Sequence, residues 1–177
     1  KIHTKRLHFF NLILTQFKDL LDKIDINNRL KFLEILQIDY YSGFDQNKKL
    51  EKCLDESFKK DLTLKSTTVG PHKSDIKTNI NQNEAKQILS RGEQKFLSIL
   101  WCFSCHLVLL KNFNIQATLL IDDISSELDN ELFLSFIELL KNQKNQIIFS
   151  CIEDVFSSKI DSKFNNFKKF HVEHLNT

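Results

Sequence analysis

Residues 117–129 read ATLLIDDISSELD, and this stretch decides the fold class. An apolar run, residues 117–121, is followed directly by two carboxylates, Asp122 and Asp123. A short apolar run of this kind predicts a buried strand of a parallel sheet. Open α/β folds bind ligands at the carboxyl edge of such a sheet, so the two acids are candidate ligand-binding residues. One carboxylate can hold Mg²⁺, usually through water, and its neighbour can orient or deprotonate an attacking water.

The segment before this strand, residues 89–110, predicts a long helix that begins at Ser90. Ser90 and Glu93 have the spacing of a capping box, and the residues from Phe96 onward are apolar on nearly every side, which predicts deep burial. A helix start offers backbone N–H groups and a positive dipole end, and Gly92 would let a phosphate approach the backbone closely. A capped helix without any ligand explains the same residues, and only the order of the motifs favours the phosphate.

Strands and helices alternate through the C-terminal part of the chain, which predicts an α/β lobe at about residues 67–177. Residues 1–66 show three apolar runs with helical spacing and a break near residues 40–43, so they are predicted to form long antiparallel helices. The elements predicted for the lobe, besides those above, are strands at residues 67–69, 75–80, 146–149 and 169–175, and a helix at residues 130–140.

The composition is that of a soluble globular domain. The 177 residues are 41% hydrophobic and 27% charged, and the formal net charge of +2 says little about partners. No uninterrupted apolar run reaches the roughly 18 residues needed to span a bilayer, so no membrane contact is expected.

A Cys-x-x-Cys pair, Cys102 and Cys105, is followed by His106 and could indicate a metal or redox site. The pair lies in an apolar run, and no second pair completes a zinc tetrahedron. Small buried cysteines in a reducing cytosol are therefore the favoured interpretation.

Three motifs in this order resemble those of a known family. The LSRGEQ stretch at residues 89–94 looks like an ABC signature, TLLIDD at residues 118–123 like a Walker B strand, and SELD at residues 126–129 like a D-loop. The set is similar to that of the RecF-type proteins among the SMC-like ABC ATPases. Those proteins also carry a GPH stretch like the one at residues 70–75.

The resemblance implies a fold and a role for each matching residue. The fold is the C-terminal lobe of an ABC-type (P-loop NTPase) ATPase head, residues 67–177, after a helical arm segment, residues 1–66. Asp122 is expected to be the Mg²⁺-associated acid and Asp123 the catalytic carboxylate. Contacts to an ATP molecule held by the opposite subunit are expected from Ser90, Arg91, Gly92 and Gln94. The dimer seam is expected at Ser126 and Asp129, and Ser150 stands where many ABC ATPases have a switch histidine.

The glycine-rich phosphate loop of P-loop proteins, G-x-x-x-x-G-K-[ST], does not occur in this sequence, which has three glycines and no methionine. We therefore expect the chain to be a fragment that by itself binds ATP weakly and does not hydrolyse it. For the whole protein, the resemblance implies ATP and Mg²⁺ as cofactors, a cytoplasmic location, a place in the SOS response, and an ATP-dependent homodimer on double-stranded or gapped DNA. Slow hydrolysis would release the dimer, and the implied partners are RecR and RecO, which help load recombinase.

Two alternatives stay open. The chain could come from another SMC-like or transporter-type ABC ATPase, although residues 1–66 show no sustained heptads. It could also be a non-catalytic module that binds DNA or a protein. A phosphate loop encoded upstream would favour an ATPase, and its absence there would favour the module. The roles of His72 and Lys73 are not predicted.

Overall fold

A computed structural model of the chain describes residues 1–25, 30–123, 128–141, 143, 145–150, 160, 164 and 168–170. The helices are α1 (Ile2–Leu21), α2 (Leu50–Leu64), α3 (Ala85–Ile88), α4 (Arg91–Phe113) and α5 (Asn130–Leu140). The strands are β1 (Leu36–Tyr41), β2 (Asp75–Ile80), β3 (Asn83–Glu84), β4 (Leu119–Ile121) and β5 (Ile147–Phe149). Short 3-10 helices at Lys31–Glu34 and Pro71–Lys73 precede β1 and β2. The mixture of helices and small sheets confirms the predicted α/β class.

The start of α4 is fixed by the capping box that the sequence predicts. Ser90 Oγ accepts a hydrogen bond from Glu93 N at 3.4 Å, and the Glu93 carboxylate accepts from Ser90 N at 2.8 Å. Such a cap stabilises a helix by about 1 kcal/mol because it satisfies N–H groups that have no partner inside the helix. The helix ends at Asn114, which adopts the left-handed conformation with a φ of 53°.

One side of α4 is buried, so the prediction of burial on nearly every side is wrong. Phe96, Leu100 and Phe103 are buried in the core, whereas Ser98 and Cys102 are exposed. By length and composition alone α4 could also cross a membrane, a test that the core helix of a soluble protein passes as well. Its packing against two other helices fits a core helix, and the absence of membrane contact stays a prediction.

α1 packs mainly on α4, which differs from the predicted arm of antiparallel helices. The Trp101 ring lies 5.9 Å from the Phe10 ring and 5.8 Å from the Phe17 ring. The same pair of helices is joined by a hydrogen bond in which Lys111 Nζ donates to Gln16 Oε1 at 2.7 Å. Apolar burial along this seam is the main gain, since each buried aromatic side chain contributes about 1.5–3 kcal/mol.

The prediction of a helix after Leu30 is wrong beyond the short 3-10 helix, because residues Leu36–Tyr41 form strand β1. β1 pairs with β2 in the antiparallel sense, with Leu36 opposite Ile80 and Tyr41 opposite Asp75, and β3 follows β2 in the same sheet. Pairing with β2 overrides the local helical spacing, because the alternating side chains of β1 then share one covered face. The predicted domain boundary at residue 66 stays a prediction, although β1 and α1 both pack across it.

Residues 67–69 do not form the predicted strand, whereas the strand predicted at residues 75–80 is confirmed as β2. Thr68 donates from its backbone N at 2.9 Å and from Oγ1 at 2.6 Å, in both cases to Asp61 Oδ1 on α2. The backbone N–H of Thr68 is therefore bound to a side chain rather than to a strand. The hydroxyl of Thr68 is also the main cause that holds the pKa of Asp61 below its usual value.

β4 and β5 form a parallel pair, as the sequence predicts, with Ile121 opposite Phe149. Alternate side chains of the pair pack on the core, while Leu120 is 71% exposed and Ile148 is 52% exposed. Parallel strands are ordinarily covered on both faces, and the prediction of buried strands is therefore wrong for this face of the pair. The strand predicted at residues 169–175 lies mostly outside the described residues.

The core lies between α1, α4 and α5, and α5 has the bounds that the sequence predicts. Asp129 Oδ1 caps α5 by accepting from Glu131 N at 3.1 Å and from Leu132 N at 3.0 Å. The largest fully buried aromatic side chains are Phe17, Phe96, Phe103, Phe133 and Phe136. Leu119 and Ile121 of β4 pack against this same core, which therefore supports both α4 and the strand that precedes the two acids.

Candidate functional site

Two adjacent carboxylates and a serine meet where the parallel strands end. Asp122 and Asp123 follow β4, and Ser150 follows β5. The Ser150 hydroxyl donates to Asp122 Oδ1 at 2.7 Å and accepts from Asp123 N at 2.8 Å. Ser150 N donates to the carbonyl of Ile121 at 3.0 Å, which extends the strand pairing by one residue. A single hydroxyl therefore connects the side chain of one acid to the backbone of the other.

The backbone at Asp123 explains why an aspartate suits this position. Asp123 has a φ of 46°, in the left-handed region, where Asp and Asn are several-fold enriched over other residues. Asp122 is exposed, whereas Asp123 is half-buried and its Oδ1 atom is enclosed, so the Asp122 carboxylate is the more accessible of the two.

The acids at this edge fit a magnesium ion. Mg²⁺ prefers oxygen ligands and is usually held by one or two carboxylates, with water and phosphate oxygens completing the shell. Asp122 accepts a hydrogen bond through one carboxylate oxygen, and its exposure leaves the group reachable by a hydrated ion. The chemistry that such an ion supplies is charge neutralisation at a phosphate group.

The signature residues are placed by contacts at the start of α4. The Ser90 hydroxyl donates to Glu93 Oε2 at 2.7 Å, so the serine is held within the capping box. Gln94 Nε2 donates to the carbonyls of Leu89 at 2.8 Å and Lys86 at 3.1 Å. The glutamine thus fastens α4 to the turn before it, a structural role that its place in the motif does not predict.

A shallow depression of about 280 Å³ lies beside these residues on the exposed side of α4. Its lining includes Arg91, Gln94, Lys95 and Ser98. Two cations beside the positive end of a helix dipole make this surface favourable for an anion. Gly92 lies in the same first turn of α4.

The D-loop residues are only partly described. Ser126 lies outside the described residues. Asp129 is described, and its carboxylate caps α5. The structure therefore brings Asp122, Asp123 and Ser150 together, and it gathers the signature residues separately at the start of α4.

Curated relatives match nearly the whole chain. The DNA replication and repair protein RecF of Pseudoalteromonas atlantica is 30% identical over 168 residues, which are 94% of this chain and 45% of that protein. RecF of Francisella tularensis is 32% identical over 149 residues, 84% of this chain and 41% of that protein. The chain belongs to the RecF family. No protein-family model matches it.

Solved RecF structures have the same fold. The structure described as the recombination mediator protein RecF-ATPrS in the RecFOR pathway matches with a TM-score of 0.52 and 28% identity, over 81% of this chain and 40% of that one. A second, described as RecF-ATP in the same pathway, matches with a TM-score of 0.50 and 26% identity. The chain corresponds to the C-terminal part of its RecF relatives and spans about half of their length.

The GPH stretch that resembles RecF proteins forms a tight turn against a second turn at Gly43. Gly70 N donates to the Gly43 carbonyl at 2.9 Å. A Cβ atom on Gly43 would lie 2.1 Å from the Gly70 carbonyl oxygen, so only glycine fits there. Arg6 Nη1 on α1 donates to the Pro71 carbonyl and to Ser74 Oγ. Sequence reasoning missed Arg6, because its partners lie more than 60 positions away.

The three cysteines in the described part of the chain differ in burial. Cys102 is exposed, Cys105 is half-buried and Cys53 is buried, so the prediction of buried cysteines is wrong for Cys102. Burial raises the pKa of the Cys105 thiol to about 11. His106 Nε2 lies 3.2 Å from Asn145 Nδ2, and burial lowers the pKa of this histidine. Within the described part of the chain, no group of three or more His, Cys, Asp or Glu side chains could hold a metal ion.

Proposed function

We propose that this chain carries the Walker B acids and the signature of the ATPase site of a RecF-type DNA replication and repair protein. The observation that supports it most is the hydroxyl of Ser150, which connects Asp122 and Asp123 at the carboxyl end of a parallel strand pair. A purely structural hydrogen bond to Ser150 would need only one acid. An ATPase site needs two, one to hold Mg²⁺ and one to orient or deprotonate the attacking water.

In this proposal Asp122 holds Mg²⁺ through water, and Asp123 orients or deprotonates the attacking water. Ser150 is a positioning residue, because it restrains the Asp122 carboxylate by a hydrogen bond of 2.7 Å. It also accepts from the backbone N of Asp123, which supports the left-handed backbone there. Ser150 therefore stands at the position of the switch histidine of many ABC ATPases, and in this proposal its role is to link the two acids.

The signature residues act on an ATP molecule held by a second subunit. Arg91, Gly92 and the first N–H groups of α4 face the γ-phosphate. The hydroxyl of Ser90, which donates to the Glu93 carboxylate, joins them by turning from that carboxylate to the phosphate. Gln94 keeps the start of α4 in place. Ser126 and Asp129 line the seam between the subunits.

In the whole protein, the phosphate loop comes from an N-terminal part, which in RecF relatives precedes the residues that match this chain. We propose that this part also covers the exposed face of the β4–β5 pair at Leu120 and Ile148, because a two-stranded parallel sheet is not stable when open on one side. The complete protein then dimerises with ATP on double-stranded or gapped DNA, with slow hydrolysis releasing it. RecR and RecO are its partners in helping load recombinase, and it works in the cytoplasm without membrane contact.

The test is Asp123→Asn in the whole protein. Asparagine keeps the shape and accepts the left-handed backbone, but it cannot take a proton. We expect ATP binding to be retained, the ATP-dependent dimer to last longer, and hydrolysis to fall at least about 100-fold. Asp122→Ala is expected to weaken Mg²⁺-dependent ATP binding instead.

Asp19→Asn, an exposed neutralisation on α1, is the matched control and should hydrolyse ATP at the parental rate. Hydrolysis by Asp123→Asn at that same rate would remove Asp123 from the mechanism. Absence of any ATP-dependent dimer in the parental protein would favour a non-catalytic module.

A further inference from the structure

Three distant segments meet at one end of the molecule. Arg6, near the start of α1, donates to Pro71 and Ser74 in the GPH turn, and the bond to Ser74 Oγ is 2.6 Å. The GPH turn in turn contacts the turn at Gly43. The ring of His3 packs on the ring of Phe44, 5.4 Å away, which fixes α1 to the same loop.

These contacts hold His72 and Lys73 in a rigid, exposed turn. Gly43 and Gly70 both have positive φ values, 84° and 138°, and the backbones of the two turns are in direct contact. His72 Nε2 lies 3.2 Å from the Thr67 carbonyl, a hydrogen bond in which the ring N–H donates. The ATPase proposal gives these residues no role.

Positive charge is concentrated at this end. Residues 1–6, 42–49 and 70–75 contain six Lys or Arg and two Asp, a formal charge of +4, whereas the whole chain carries +2. The remainder of the chain is therefore net acidic. Lys48 pairs with Glu56 at 2.7 Å. The other cations of these segments, Lys1, Lys5, Arg6, Lys49 and Lys73, are all exposed, and Lys5, Arg6 and Lys73 belong to α1 and the GPH turn, which are in contact.

We propose that this basic end, formed by Lys5, Arg6, His72 and Lys73, binds the phosphodiester backbone of duplex DNA. The inference rests on the proposed function and deepens it by assigning the DNA contact to a surface that includes neither of the two acids. Lys and Arg on a rigid turn fit phosphate groups, and no base-reading element is needed for sequence-independent binding. Arg6 has donors beyond the ones it uses in the turn, since a guanidinium carries five N–H groups.

The test is charge reversal in the whole protein, with Lys5→Glu and Lys73→Glu combined. Both side chains are exposed, and a glutamate near the start of α1 is favourable to the helix dipole, so the variant should fold. The control combines Lys18→Glu and Lys23→Glu, which changes the net charge equally at the opposite end of α1. Lys5 and Lys18 are about 20 Å apart along the helix axis.

Binding of a fluorescent 30-base-pair duplex is measured by anisotropy with ATP over a range of salt concentrations. We expect the Lys5/Lys73 variant to bind about tenfold more weakly, with the slope of log K against log salt smaller by about 2, because each phosphate contact contributes about 0.9. The control should stay within twofold of the parental protein. ATP-dependent dimer mass and ATPase without DNA should be parental in both.

Equal weakening of both variants would show an effect of net charge alone and would overturn the assignment. DNA binding by the Lys5/Lys73 variant at the parental affinity would also overturn the assignment. This holds even if the variant loses the binding of an acidic protein. A parental protein that dimerises and hydrolyses ATP but binds no duplex overturns the DNA surface and leaves the ATPase assignment standing. A protein without ATPase activity that still binds duplex through Lys5 and Lys73 contradicts the ATPase proposal alone.

Discussion

Ser150 links the two candidate acids through one hydroxyl, which accepts from Asp123 N and donates to Asp122 Oδ1. The sequence places Ser150 at the end of a predicted strand, but its role depends on the register that sets Ile121 opposite Phe149. That register is a tertiary property, because the two strands are 28 positions apart at that pair and α5 lies between them. The acids themselves could be predicted, since an apolar run followed by carboxylates is a local pattern.

Ser150→Ala tests this link in the whole protein. Loss of a hydrogen bond to a charged group costs about 1.5 kcal/mol, so we expect ATP hydrolysis to fall about tenfold while the fold is retained. Ser150→Thr keeps a hydroxyl and should recover most of the activity. Ser135→Ala is the control, because the Ser135 hydroxyl donates only within α5, to the Glu131 carbonyl. Equal activity of Ser150→Ala and the parental protein would show that the link is not needed.

The two cysteines of α4 should differ in reactivity. Cys102 is exposed, whereas Cys105 is half-buried and its pKa of about 11 leaves about one thiolate in a thousand at pH 8. We expect iodoacetamide to modify Cys102 first, as followed by peptide mass spectrometry, and Cys105 labelling to rise with pH up to about 11. Faster labelling of Cys105 at pH 8 would contradict the packing of α4 described above.

At the scale of elements, helices with local signals were predicted well. The capping box of α4, the bounds of α5 and the parallel strands β4 and β5 are all confirmed. β1 was missed because Leu30, Leu33 and Leu36 have helical spacing. The alternation of Leu36, Ile38 and Tyr40 indicates a strand only once β2 is known to pair with it. The sequence also carries no local sign that Asp61 takes the backbone N–H of Thr68.

Gly43→Ala tests how strictly the two turns are packed. The added Cβ would meet the Gly70 carbonyl oxygen at 2.1 Å, and the φ of 84° strains any other residue. We expect a loss of about 2–4 kcal/mol in the free energy of unfolding, measured by urea denaturation. Gly92→Ala, in the first turn of α4, should instead be neutral or stabilising by up to about 1 kcal/mol. A neutral Gly43→Ala would show that the turns separate readily.

At the scale of the whole molecule, α4 connects the two halves of the candidate site. Its first turn carries the signature residues, and its buried face packs in the same core as α5 and the inner face of β4. The sequence could predict the residues of each half from their motifs. It could not predict how the halves meet, because in the proposed function each half works with a different subunit. The cover that we propose for the exposed face at Leu120 and Ile148 likewise lies outside these residues.

The central claim is that the signature of one subunit completes the ATP site of another, and Ser90→Arg in the whole protein tests it most directly. As a helix cap alone, Ser90 is worth about 0.5–2 kcal/mol, so its loss would weaken dimerisation only through unfolding. Two quantities are measured on one sample: the melting temperature, and the mass with ATP by light scattering. Thr63→Arg adds the same charge at an exposed residue of α2 and should dimerise normally. The account predicts that Ser90→Arg binds ATP, melts within a few degrees of the parental protein and stays monomeric with ATP. A Ser90→Arg protein that forms the ATP-dependent dimer at parental concentrations would contradict it.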